Sequence, residues 1–152
     1  MQRLYAPFVG GPGAVALLVL RLVAGSAMML HGWPKIQNPF SWMQGSPIPG
    51  FLQALAALSE FGGGLAWILG LLTPIASAGI LCTMAFAVFG VHVAKGDPFV
   101  AGPGAKGGSY ELALVYLAIA LVLMLVGPGR LSLDSLLFGT RISSERGLGD
   151  RS

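Results

Sequence analysis

The sequence predicts an all-α protein: an antiparallel bundle of four transmembrane helices with a short C-terminal interfacial helix. Three observations carry that prediction. Of the 152 residues, 55% are hydrophobic and only 10% charged, whereas soluble domains are about a quarter charged; the mean hydropathy is +0.77. Apolar runs extend from Ala14 to Leu30 and from Phe51 to Leu72, each about the length that crosses roughly 30 Å of hydrocarbon. Two further apolar runs follow, and Gly/Pro-rich segments separate them.

Residues 1–13 form a short Gly/Pro-rich lead-in, and the first span covers residues 13–32. On a helical wheel Arg21, Gly25, Met28, Gly32 and Lys35 share one side. Trp33-Pro34 then leads into a loop of about sixteen residues carrying Phe40, Trp42 and three prolines, the composition of a membrane interface. The second span, residues 51–72, places Glu60, Gly63, Gly64 and Trp67 on one face. Thr73-Pro74 makes a tight turn into the third span, residues 75–94, with His92 near its exit. The glycine-rich stretch from Lys95 to Gly108 predicts turns alone. The fourth span, residues 109–126, opens with Tyr110 and Glu111 and ends at Gly127-Pro-Gly129. Residues 131–138 read as a short interfacial helix that Ser132 or Asp134 caps. Residues 1–139 thus form one transmembrane domain, and residues 140–152 a polar, disordered tail.

Composition also excludes functions. The pI near 9.4 comes from loop and tail residues with no basic patch interleaved with aromatics, so nucleic acid is not an expected partner. Cys82 is the only cysteine, which rules out an intrachain disulfide and a dithiol centre within the chain. Arg3, an apolar segment and Ala24-Gly-Ser-Ala27 outline a signal peptide, but Arg21 interrupts it and the run continues to Trp33. The arginines Arg3, Arg130, Arg141, Arg146 and Arg151 fall on one side of the predicted bundle, and Lys35, Lys95 and Lys106 on the other. Excess positive charge marks the cytoplasmic side, so both termini are expected there.

Charge inside the spans is the main pointer to chemistry. A lone ionised side chain in hydrocarbon costs several kcal/mol, on the order of 3 or more, so such groups face the bundle interior and pair. Counted inward from the loop joining their spans, Arg21 and Glu60 reach similar depths and are expected to meet near the midplane. His31, Lys35, His92, Tyr110 and Glu111 gather at the outer mouths of the spans, which describes a polar funnel. Each has a structural alternative. Arg21 and Glu60 can be an ion pair that sets helix register. The histidines can bond backbone or headgroups, Tyr110 can anchor at the interface, and Glu111 suits the start of its own helix. Metal or haem ligation by His31 and His92 lacks ligand spacing within one helix and is disfavoured. The glycine clusters are turn and packing residues with no strand before them, so they are not phosphate cradles.

The order and spacing of several short motifs carry a resemblance. Arg21-x3-Gly25 continues to His31-Gly32-x2-Lys35; Glu60-Phe-Gly-Gly is followed by Leu69-Gly-Leu-Leu-Thr-Pro74. His92 ends the third span, Gly108-x2-Glu111-x4-Tyr116 opens the fourth, and Gly127-Pro-Gly-x2-Ser-Leu-Asp134 follows it. Over roughly Leu20 to Asp134 the chain resembles the DoxX family, small four-helix membrane proteins related to a DoxD-type subunit of a thiosulfate:quinone oxidoreductase. The resemblance implies a prokaryotic inner-membrane bundle and a place in a membrane redox complex, with quinone as ligand and a redox protein as partner. Self-association is left open.

Three functions compete. In the first, the chain is a membrane subunit of a redox complex, at most an oxidoreductase subunit, holding a quinone or small molecule in the funnel. In the second it is a non-catalytic scaffold or assembly factor whose charges serve packing. In the third it carries a small molecule or lipid.

Overall fold

The computed structural model describes residues 7–103 and 107–139. Among these residues every regular element is a helix. Helix α1 spans Gly11–Gln37 and α2 Gly50–Leu69. Helix α3, Thr73–Ala85, runs straight into a π-helical segment, Phe86–Val93. Helix α4 is Glu111–Val126, and residues 133–139 form a last short helix, α5. Three helical stretches are long and apolar enough to cross a membrane: Gly11–Gln37, Gly50–Leu69 and Thr73–Val93; Glu111–Val126 is apolar but shorter. Lys106 and the tail expected at 140–152 lie outside the described residues.

Helix ends differ from expectation where local chemistry intervenes. Pro12 pre-sets φ in the first turn of α1 and gives up no hydrogen bond there. Pro34 does not end α1, which continues one turn further to Gln37. Residues 38–49 are not an open loop but a folded one organised by Gln53, which is buried. The Gln53 side chain accepts from Met43 N–H and donates to the Ile48 carbonyl, both at 2.9 Å, and Trp42 Nε1 donates to the Gln53 carbonyl at 2.9 Å. Helix α2 stops at Gly70, left-handed at φ 63°, so the turn to α3 is residues 70–72. Thr73-Pro74 is the first turn of α3, the position where proline fits best.

Glycines set the register of α1 on α2. A Cβ at Gly25 would stand 2.7 Å from the Gly64 carbonyl oxygen, and one at Gly64 would stand 2.6 Å from Met29 N. Gly32 lies equally close to the backbone of Glu60 and Phe61. Residue numbers rise along one helix as they fall along the other, so the pair is antiparallel, with backbones in direct contact. Gly63 makes room for the Ile80 side chain of α3, whose Cδ1 would lie 2.9 Å from a Cβ there. Around this seam lie Ala24, Met28, Trp67, Ile80, Met84, Tyr116, Ala120 and Leu123. Trp67 is fully buried and donates to Ser77 Oγ at 2.9 Å. Large apolar side chains point outward instead, with Val23 67% and Leu30 68% exposed while Arg21 is 0% and Glu60 3% exposed. This inversion suits a hydrocarbon surround, where close packing of small residues rather than apolar burial holds helices together.

The chain after α4 turns back at Gly127 and Gly129, both at positive φ, and packs across the α1 start and the α2–α3 turn. Arg130 N–H donates to the Val9 carbonyl at 2.9 Å, and Asp134 N–H to the Gly70 carbonyl at 2.8 Å. Ser132 Oγ accepts from Ser135 N–H at 3.2 Å, which makes it the cap of α5. Asp134 caps α3 instead: its carboxylate accepts from Leu72 N–H at 2.7 Å and Thr73 N–H at 2.9 Å.

Candidate functional site

The expected meeting of Arg21 and Glu60 does not occur. With Gly32 against Glu60, Arg21 lies 11 residues farther along α1, about 16 Å at a rise of about 1.5 Å per residue. Counting from the connecting loop assumed that α1 and α2 end level there; the glycine seam sets a different register. Arg21 reaches the C-terminal end of α2, donating to the Trp67 carbonyl at 3.3 Å and to the Leu131 carbonyl, while its Nε is buried without an acceptor. A cation beside the unpaired carbonyls that end a helix is favourably placed. Asp134 sits at the matching helix N-terminus, where a carboxylate is favoured. Arg21, Gly70, Thr73, Ser132 and Asp134 thus form one buried lock at the end that holds the start of α1. Its parts are in close contact: a Cβ at Gly70 would stand 2.5 Å from Ser132 Cβ.

Glu60 finds Lys35 instead. Lys35 Nζ stands 2.6 Å from each carboxylate oxygen of Glu60, with the lysine side chain 25% and the glutamate 3% exposed. Lys35 also lies over the Trp42 ring, 4.6 Å from its centroid, so apolar and aromatic groups shield the ammonium. The pair forms because Lys35 follows Gly32 on the α1 face that approaches Glu60.

Around this pair, at the opposite end from the Arg21 lock, is a cavity of about 250 Å³. Helix α1 contributes Met28, His31 and Lys35, at helical spacing on one face; α2 contributes Glu60. Met84 comes from α3, and Ala87 and His92 from the π-helical segment that follows it, which re-aims the end of the helix relative to α3. Ser109, Leu112, Ala113 and Tyr116 close the far wall. His31 and Tyr116 meet edge to face, ring centroids 6.2 Å apart at 78°. His92 Nδ1 lies 2.8 Å from Asp97 Oδ2. A second, wider hollow of about 850 Å³ lies beside the 38–49 segment, lined by Pro34, Asn38, Ser41, Trp42 and neighbouring residues. Lys35 lines both hollows.

Of the residues singled out in the sequence, His31, Lys35, Glu60 and His92 therefore share one cavity, and three do not join them. Arg21 belongs to the lock. Tyr110 stacks on Phe99, centroids 5.5 Å apart, in the connection before α4. Glu111 is exposed in the first turn of α4. Tyr116 and Asp97 were not among the candidates. Tyr116 had a signal: a hydroxyl-bearing aromatic mid-helix, away from the ends where interface-anchoring tyrosines sit. Asp97 had none, because only the fold of its loop carries it to His92. Chemically the cavity offers a balanced ion pair, two imidazoles, a phenol and two polarisable thioethers.

The family model for DoxX matches residues 16–93. An uncharacterized protein of Haemophilus influenzae is 38% identical over 125 residues, which covers 80% of this chain and 90% of that protein. The inner membrane protein YqjF of Escherichia coli is 33% identical over 132 residues, covering 81% of this chain and 92% of the relative. No solved structure matches the chain. Its long apolar helices and these matches together make it a multi-pass membrane protein that belongs to the DoxX family.

Proposed function

We propose that the chain is a four-span inner-membrane protein, residues 1–139 forming the membrane domain, and that it serves a membrane redox complex by holding a quinone-type head group in the Lys35–Glu60 cavity. Both termini then face the cytoplasm and the cavity opens toward the outer side, in line with the distribution of arginines and lysines. The name of the Escherichia coli relative supports the inner membrane as the location.

One observation carries the ligand reading. The charges in the cavity are already matched, Lys35 against both oxygens of Glu60, so an ionic ligand would have to break that pair. The remaining polar side chains, His31, His92, Ser109 and Tyr116, offer hydrogen-bonding atoms beside Met28, Met84 and Leu112. An uncharged, planar molecule with oxygen atoms at its edge fits that set, and the site is small enough to admit a head group but not a tail. The role in a redox complex follows from what a quinone does, which is to carry electrons between membrane proteins.

The scaffold reading keeps support from the Arg21 lock, which spends the most buried charge on packing alone. Mass spectrometry of the protein purified in lipid nanodiscs separates the two. Retained quinone, reduced at least about tenfold in Tyr116→Phe or His31→Ala with the fold intact, supports the head-group site. Neither quinone nor hydroquinone retained by the native protein, and no binding of either when added, leaves the scaffold.

A further inference from the structure

The ligand reading above can be sharpened at His92, and this step rests on that reading. His92 lines the cavity, but one of its ring nitrogens is already committed. Nδ1 stands 2.8 Å from Asp97 Oδ2, and an ionised carboxylate can only accept. In its neutral form the imidazole therefore carries its one proton on Nδ1, and Nε2 keeps a lone pair. The arrangement is built rather than incidental. Asp97 N–H donates to the His92 carbonyl at 3.0 Å, closing the loop on the π-helical segment. Gly108 backs the pair, and a Cβ there would stand 3.4 Å from His92 Cε1 and 3.5 Å from Asp97 Oδ2. Among the described residues nothing is bonded to Nε2.

We infer that Asp97 is a positioning residue that makes His92 Nε2 a hydrogen-bond acceptor, and that the cavity thereby selects a hydroxyl-bearing ligand, the hydroquinone or another phenol, over the quinone. A quinone carbonyl has only lone pairs to present to Nε2, and two facing acceptors repel. A phenolic O–H donates to Nε2 without displacing Asp97. The other groups around the cavity add no one-sided preference: Lys35 and Glu60 are bonded to one another, and His31, edge to face with Tyr116, has a ring that presents a donor and an acceptor nitrogen when neutral. Tyr116 O–H can donate or accept and so takes either ligand.

The test compares tetramethylhydroquinone with tetramethylbenzoquinone, which differ at the oxygens, by anaerobic titration calorimetry on the full chain in nanodiscs. The titration is run in mildly alkaline buffer, where imidazoles are ordinarily neutral. The native protein is expected to bind the hydroquinone at least about tenfold more tightly, the scale of one hydrogen bond exchanged for a clash. In Asp97→Asn the carboxamide nitrogen donates to Nδ1 and the ring proton moves to Nε2, so the preference should reverse toward the quinone. His92→Phe should bind both without preference. Equal binding of the two by the native protein, or an unchanged preference in Asp97→Asn, overturns the inference and leaves the head-group site standing. Binding of neither compound removes both.

Discussion

Lys35 and Glu60 share an ion pair but not an environment, and the difference decides what each contributes. Glu60 is 3% exposed and has both oxygens on Lys35. Lys35 keeps a quarter of its side chain exposed and a second neighbour in Trp42, so it can swing toward water. Removing the lysine strands a buried carboxylate; removing the carboxylate does not strand the lysine. Lys35→Met is therefore expected to cost about 3 kcal/mol of stability, as when one partner of a buried pair is lost. Glu60→Gln should cost about 1 kcal/mol or less, near an exposed pair, and the double variant should fall close to Glu60→Gln. Thermal unfolding in mild detergent reads all three, and equal losses for the two single variants would contradict this asymmetry. Both residues could be picked out in the sequence, Glu60 as a charge inside an apolar run and Lys35 as a charge at the mouth of one. Their pairing could not, since Arg21 stood out equally and only the register of α1 on α2 chooses between them.

At the scale of elements, backbone contact chooses that register. Gly64 faces Met29 N and the Gly25 carbonyl, main-chain atoms that cannot turn aside as a flexible side chain would. Gly64→Val should therefore separate α1 from α2 and destabilise the protein by about 3 kcal/mol or more, the upper range for overpacked cores. Gly62→Ala is the control, because a Cβ there meets only the Leu58 side chain at 3.3 Å. It should unfold within about 1 kcal/mol of the native protein, helped by the better helix propensity of alanine. The helix ends make a second set of element-scale contacts. Arg21 completes the C-terminus of α2, and Asp134 completes the N-terminus of α3. The two motif residues lie more than a hundred positions apart, yet they serve the two sides of a single turn. The chain past α4 is thus part of the membrane domain's closure rather than an appendage.

The molecule as a whole has two ends with different roles: a polar lock where α1 begins and an open cavity where it finishes. Their assignment to the two sides of the membrane is testable. In a Cys82→Ser background, Ser46→Cys in the 38–49 segment should react with an impermeant maleimide on spheroplasts. Ser135→Cys in α5 should react only after lysis; the reverse pattern would invert the orientation. Composition and run length alone determined that the chain is helical and membrane-embedded, because hydrocarbon leaves a backbone few ways to satisfy itself. They also marked four of the cavity residues, His31, Lys35, Glu60 and His92, since ionisable groups are rare in and beside apolar runs. Which of those groups meet was decided by tertiary structure alone. The glycine seam slides α1 along α2 until Glu60 faces Lys35, the π-helical segment re-aims His92, and the loop brings Asp97 to it. Each depends on contacts between segments distant in the chain, on a local helix defect or on the fold of a loop, which no periodicity in a single sequence encodes.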